Sequence, residues 1–176
     1  MQKINVIGTT GSGKSTFARQ LADRLACPCV HMDQLFWLPQ WRESNDATFF
    51  PKVAQAVSGP RWVLDGNYSR TSTIKWQNAD TIIWLDYSFA RTFWQLFKRT
   101  TQRVITRQEL WPGTGNTESF RRSFLSQNSI FLWLFKNYKH NRSRYAQLQQ
   151  TMESSQQIRF VRLTSPAQAR LLLASL

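Results

Sequence analysis

Residues Gly8 to Ser15 read Gly-Thr-Thr-Gly-Ser-Gly-Lys-Ser, the spacing G-x-x-x-x-G-K-[ST]. Such a run constrains its flanks, because it works only as the turn between a buried strand and a helix. Ile4, Val6 and Ile7 supply the strand. Phe17, Ala18, Leu21, Ala22 and Leu25 fall on one stripe of a helix over Thr16 to Leu25. Gly8, Gly11 and Gly13 let backbone N–H groups turn inward around phosphate oxygens, and the helix N-terminus adds its positive dipole end. Lys14 then reaches the β/γ-phosphates, Ser15 offers its hydroxyl to Mg²⁺, and Thr16 adds a second hydroxyl. The whole run Gly8, Thr9, Thr10, Gly11, Ser12, Gly13, Lys14, Ser15 and Thr16 is therefore the expected cofactor site, with ATP and Mg²⁺ as its ligands.

The 176 residues are 41% hydrophobic and 14% aromatic, enough for a single globular domain over 1–176 and too apolar for a disordered chain. The N-terminus carries no signal-peptide pattern, and no apolar run approaches the roughly 20 residues needed to span a bilayer. A cytoplasmic protein without a membrane partner is expected. Cys27 and Cys29 form a Cys-x-Cys pair that fits no common zinc pattern and reads as two ordinary buried thiols. The net charge of +13 is uneven: nine basic against seven acidic residues through Ser88, fourteen against three beyond it. A basic second half suits a nucleic-acid surface or a lid that neutralises triphosphate, and composition does not choose between them.

The rest of the chain alternates strand and helix patterns. A second strand is expected at Cys29 to Asp33, followed by an aromatic loop with Phe36, Trp37, Pro39 and Trp41. A helix follows over Asp46 to Val57, with Pro51 in its first turn or kinking it. Arg61 to Asp65 and Thr81 to Asp86 read as the third and fourth strands, with a short helix over Ser72 to Ala79 between them. A long helix from Ser88 directs Phe89, Phe93, Leu96, Phe97 and Val104 inward and Arg91, Lys98, Arg99, Arg103 and Arg107 outward. Pro112-Gly113-Thr114-Gly115 breaks it. Glu118 to about Met152 reads as helix, in one piece or two, Ile158 to Leu163 as a fifth strand, and Ser165-Pro166 as the N-cap and first residue of a last helix. Five strands with helices between them make a parallel α/β sheet covered on both faces.

Ligands bind beyond the carboxyl ends of such strands, so polar residues there come first. Asp65 is the candidate to hold Mg²⁺ through a water, together with Ser15. Asp33, beside His31, is placed to accept a proton from an acceptor hydroxyl. Asp86 reads as a structural turn residue. Ser165 and Pro166, at the end of the fifth strand, join the candidate cofactor contacts.

The loop Gly8 to Ser15, the segment His31-Met32-Asp33 running into Phe36-Trp37-Leu38-Pro39-Gln40-Trp41, and Asp65-Gly66-Asn67-Tyr68 together resemble the bacterial DNA topology modulation protein family. Those are adenylate-kinase-like P-loop proteins, and the resemblance covers essentially the whole chain. It implies a nucleoside-kinase-type fold with strand order 2-3-1-4-5 and a helical lid, over about residues 99–122. It also implies an acceptor site lined by Asp33, Trp37, Trp41, Asn67 and Tyr68, with Arg70 one position later than the phosphate-gripping arginine of adenylate kinases. The His31-x-Asp33 segment looks more like shikimate- and gluconate-type kinases, whose acid handles a hydroxyl. By the same resemblance Arg99 and Arg103 are catalytic lid arginines, with Arg107 on the same face and Arg142 on the return helix as nucleotide contacts.

Two functions remain open at this point. One is an ATP-dependent kinase of an unidentified small molecule or nucleotide. The other is a nucleic-acid-associated NTP-binding protein whose basic second half grips phosphate backbone.

Overall fold

The structure is a computed structural model, and it describes residues 1–127, 129–155 and 158–176. Its centre is a parallel sheet of five strands: β1 (Lys3–Gly8), β2 (Cys29–His31), β5 (Trp62–Asp65), β6 (Thr81–Leu85) and β7 (Arg159–Leu163). Two further strands, β3 (Trp37–Leu38) and β4 (Arg42–Glu43), form a small antiparallel hairpin outside it. The large sheet runs β2-β5-β1-β6-β7, which is the expected order 2-3-1-4-5 when its own strands are counted. The fold is thus the expected α/β arrangement, a five-stranded parallel sheet with helices on both faces. No helix among the described residues is long and apolar enough to cross a membrane.

Period-two alternation explains the two layers. Ile4, Val6, Val63, Ile83 and Leu85 face α1 (Lys14–Leu25) and α7 (Pro166–Ala174), where Phe17, Leu21 and Leu173 meet them. Trp62 and Leu64 face the opposite way, onto Phe49 and Val53 of α3 (Asp46–Ala56). Ile7, Ile82 and Trp84 take the same side against Tyr145 of α6 (Ile130–Ser155). The central strands β1, β5 and β6 are buried on both faces, as covered parallel strands must be. The one polar residue inside β1, Asn5, is fully satisfied. Its amide donates to the Leu64 and Gly66 carbonyls at 3.0 and 3.2 Å and accepts from the Trp76 indole at 2.9 Å.

Several expected boundaries move. The second strand stops at His31, and Met32–Phe36 is a short helix, α2, because Met32, Leu35 and Phe36 repeat at helical spacing. Asp33 therefore lies in the first turn of α2 and not on a strand. Pro51 is inside α3, beyond its first turn. The short helix after β5 is α4 (Ser72–Trp76). The helix expected over 118–152 is in two pieces, a π-type turn at Arg121–Leu125 and then α6; Asn128 lies outside the described residues. Cys27 and Cys29 are only partly buried.

The long helix α5 (Phe89–Thr106) shows the largest difference. Its buried face carries Thr92, Leu96 and Thr100, whereas Phe97 is exposed. The reason is the phosphate loop, which packs against it: a Cβ on Gly11 would lie 2.7 Å from the Thr92 carbonyl oxygen and 2.8 Å from the Leu96 Cβ, and Gly11 has φ +79°. Gly11→Ala is expected to cost about 2 kcal/mol or more in folding stability, from left-handed strain plus the clash. Gly113, at φ +82° with nothing within 4 Å, carries the strain alone, so Gly113→Ala should cost about 1 kcal/mol. Urea denaturation of both variants checks this; equal midpoints would show that the loop and α5 are not in contact.

Candidate functional site

The register of the sheet assembles the site. Gly8 pairs with Leu85, Val6 with Asp65, and Asp65 with His31, so four strands end at the same edge, β2 and β5 two residues short of β1 and β6. Gly13 opens α1 at φ +85° with no side chain capping the helix, which leaves the first N–H groups turned toward the loop. Thr10, Gly13, Ser15 and Thr16 line its accessible side. Lys14 is folded over it, its ammonium donating to the Thr9 carbonyl at 3.0 Å. Burial lowers the Lys14 pKa, against the opposing charges of Asp65 and Asp33. Ser12 is buried and its hydroxyl has no partner among the described residues.

Asp65 is the buried carboxylate of this cluster. One oxygen takes a bond from His31 Nδ1 at 2.9 Å, and the other is buried without a hydrogen-bond partner among the described residues. Burial alone would raise its pKa; the His31 bond, the Lys14 charge and the nearby Ser15 hydroxyl outweigh it and hold the carboxyl below its ordinary value. His31 gains in the opposite direction, pushed up to about 10 by the hydrogen bond to Asp65. The free oxygen of Asp65 and the Ser15 hydroxyl suit Mg²⁺. No group of three His, Cys, Asp or Glu side chains could hold a metal among the described residues, so phosphate and water would complete the shell, as is usual for this ion.

Arg99 comes from α5 into the same space. Burial lowers its pKa, with Arg103 adding to the effect and Glu118, Asp33 and Asp65 opposing it. Its Nε has no partner among the described residues, and neither do the nearby polar side-chain atoms Thr92 Oγ1, Gln95 Oε1 and Thr100 Oγ1 on that helix. Buried polar atoms are normally paired, which makes the unpaired Arg99 Nε, near the charges of Asp33 and Asp65, a candidate contact for a polar ligand. Arg103 is held by Glu118 at 3.0 Å. Arg107 lies past the end of α5, at φ +48° and exposed, and so does not share the face of Arg99 and Arg103.

On the acceptor side, the Tyr68 hydroxyl donates to Asp33 at 2.7 Å. Burial, then the Asp33 charge, raises the Tyr68 pKa, so this hydroxyl stays a donor. The Tyr68 carbonyl is fixed in turn by Thr71 Oγ1 at 2.7 Å and by the Lys75 ammonium at 3.1 Å. Lys75 is fully buried, and burial with the Arg144 charge brings it down to about 7. Trp37 and Trp41 meet edge to face at 5.6 Å, and Arg122 sits 4.2 Å over the Trp41 ring.

Other expected site residues are engaged elsewhere. The Asn67 amide accepts from the Gly8 N–H at 3.0 Å and donates to the Gly8 carbonyl, so it braces the phosphate loop and does not face an acceptor. Arg70 pairs with Asp46 at 3.0 Å and lies over the Phe36 and Phe49 rings. Arg142, with Arg162, is bound to the buried Asp86. Ser165 caps α7 through the Gln168 N–H, with Pro166 as the first helical residue. Thr9 is held by the Asn141 amide at 3.2 Å.

No protein-family model matches the chain, and no curated protein matches it. Among solved structures it is similar to a gluconokinase from Sinorhizobium meliloti 1021, at 17% identity over 57% of this chain and 66% of that one, with a TM-score of 0.44. The match thus spans just under two thirds of the gluconokinase. It is also similar to a protein of Chloroflexus aurantiacus j-10-fl named as a candidate kinase, at 14% identity over 99% and 97% of the two chains, with a TM-score of 0.48. Neither likeness assigns a family or a substrate.

The His31–Asp65 pair sets a pH dependence. A raised histidine pKa stabilises the fold fully below about 6.5, its unfolded value, and that contribution is lost as pH climbs through about 10. The lowered Asp65 pKa stabilises above about 3.9 and is lost in acid. Wild-type stability is therefore expected to fall between pH 6.5 and pH 10 more steeply than that of His31→Gln, measured by urea denaturation across that range. Parallel curves would show that the pair carries no ionic bond.

Proposed function

We propose that this protein is an ATP- and Mg²⁺-dependent phosphotransferase whose acceptor is a small-molecule hydroxyl. The reading is carried by one observation: Lys14, the unpartnered oxygen of Asp65, the unpaired Arg99 Nε and Asp33 all belong to one electrostatic cluster around the phosphate loop. Phosphoryl transfer asks little covalent chemistry of the protein, only position and neutralisation of charge. Lys14 and Arg99 would supply that charge to the phosphoryl group. Mg²⁺, held by Ser15 and Asp65 with phosphate oxygens, would neutralise the β- and γ-phosphates. Asp33, oriented by Tyr68, would take or hold the acceptor's proton.

Within this reading residues 99–122 act as a lid, and the aromatic hairpin with Trp37 and Trp41 is the acceptor arm. The resemblance to the DNA topology modulation family supports the same P-loop kinase placement. The nucleic-acid alternative has less support, because Arg103, Arg142 and Arg162 in the basic second half are taken up by Glu118 and Asp86.

A pool of small metabolites incubated with Mg²⁺ and ATP tests the class. A phosphorylated product is expected with the wild type and is absent with Lys14→Ala, which should also lose most of the rise in melting temperature that Mg-ATP gives. An unchanged shift in that variant would sink the loop assignment.

Asp33→Asn keeps shape and removes charge. It should bind Mg-ATP normally and lose about 10²-fold or more in single-turnover transfer to the product-forming acceptor. Wild-type transfer, or faster phosphorylation of a nucleoside monophosphate, would reject Asp33 as the group that handles the hydroxyl.

A further inference from the structure

Helix α5 has a second face that the chemistry leaves unused. Trp94, Lys98, Thr101 and Ile105 follow at spacings of four, three and four and so share one stripe. This stripe lies opposite the Thr92–Leu96–Thr100 face that meets the phosphate loop. Trp94 is 54% and Ile105 75% exposed, and C-terminal to Trp94 a shallow groove of about 360 Å³ is lined by Phe97, Lys98, Thr101 and Ile105. The exposed rings are continuous across three elements. Trp94 stacks on Phe97 at 5.8 Å, Phe97 meets Phe124, and Phe124 stacks on Phe120; through Phe93 the same chain reaches Phe135 of α6. Phe120 and Phe135 are themselves more than half exposed, and Leu125 is 72% exposed. A connected apolar patch of this kind on a monomer marks an interaction surface.

Its charge is one-sided. Helix α5 contains no Asp or Glu, and α6 contains none before Glu153, whereas Arg91 and Lys98 on α5, Lys136 and Lys139 on α6, and Arg121 in the turn before α6 stand exposed. The Lys98 ammonium lies 5.1 Å over the Trp94 ring, cation and aromatic side by side.

We propose that this face docks the protein peripherally on an anionic lipid bilayer. An amphipathic helix with Trp, Phe and Ile on the face and Lys and Arg around it lies in the plane of the headgroups, its apolar side chains at the acyl boundary and its cations among the lipid charges. Crossing a membrane needs a long apolar helix; lying on one needs only such a face. A second copy of the chain is a poorer occupant, since a two-fold contact sets like charges against each other with no carboxylate on α5 to relieve them. A single nucleic-acid strand would stack on the rings but gain little from Ile105 and Leu125, the most exposed apolar side chains. Docking by this face leaves the phosphate loop, on the other side of α5, open to solvent.

Co-sedimentation with vesicles tests the proposal independently of any kinase activity. The full chain is expected to pellet with vesicles containing phosphatidylglycerol, to stay in solution with phosphatidylcholine alone, and to be released by high salt. Trp94→Ala, and separately Lys98→Glu, should each weaken partitioning by about tenfold. These side chains are exposed, so melting temperatures and the Mg-ATP shift should not change. The proposal is overturned if the wild type ignores both vesicles or binds neutral ones equally. It is also overturned if the Trp94→Ala variant still pellets, if sedimentation shows a dimer that Trp94→Ala dissolves, or if Trp94→Ala abolishes binding to a single-stranded oligonucleotide while vesicles have no effect.

Discussion

Beyond Asp65 the β5 backbone leaves the sheet, and the Gly8 N–H and carbonyl at the end of β1 would face no strand on that side. The Asn67 amide takes both groups. A side chain thus extends the β1–β5 ladder by one step where the backbone cannot follow, because the phosphate loop must turn away at Gly8, whose missing side chain leaves room for the Leu85 carbonyl. The position of everything downstream depends on this brace. It fixes the start of the loop to the segment that carries Asp65 and Tyr68. Other asparagines do similar work: Asn5 ties the ends of β1 and β5 together, and Asn141 holds Thr9 to α6. An asparagine side chain offers the same donor and acceptor pair as a peptide, which is why it substitutes for missing strand neighbours.

The charge balance inside that frame follows from burial. Lys14, Arg99 and His31 surround Asp65, with Asp33 further toward solvent. Burial is the first cause of the lowered pKa values of Lys14 and Arg99, and a neighbouring cation adds to each, Arg99 beside Lys14 and Arg103 beside Arg99. In the proposed reading a polyanionic phosphate group would offset that cost.

What was legible in the sequence was local. The strand–loop–helix unit from Ile4 to Leu25 is written in a motif and two periodicities, and the Ser165-Pro166 helix start in a capping pair. The continuous apolar run Ile82 to Leu85 announced a buried parallel strand. Register was not legible. His31 stands two residues before Asp33, which drew attention to that acid, yet its partner is Asp65, 34 residues away, and only the alignment of β2 on β5 brings them together. The same holds for Asn67 and Asp86, whose partners lie in distant elements. On α5, aromatic residues at helical spacing suggested an inward face, but the loop needs close approach there, and small Thr92 and Thr100 beside Leu96 permit it where phenylalanine would not. The aromatic rings were displaced to the flank and the outer surface, where they make the patch described above.

The hairpin of Trp37 and Trp41 is tied to the loop that follows α5. Gln40 and Trp41 both adopt left-handed backbone, φ +60° and +58°, a conformation unfavourable for a bulky aromatic residue. It persists because the surrounding contacts over-determine it. The Trp41 N–H donates to Asn116 Oδ1 at 2.9 Å, the Asn116 amide donates to the Leu38 carbonyl at 2.9 Å, and Arg122 covers the Trp41 ring. Asn116 is itself buried and lies in the turn that the Glu109–Thr117 bridge closes. One asparagine therefore zips the tip of the arm to the loop beyond α5, and α5 in turn carries Arg99. Separating the hairpin from that loop would strand the Trp41 N–H and the Leu38 carbonyl and take Trp41 from its cation, so the two segments hold each other in place.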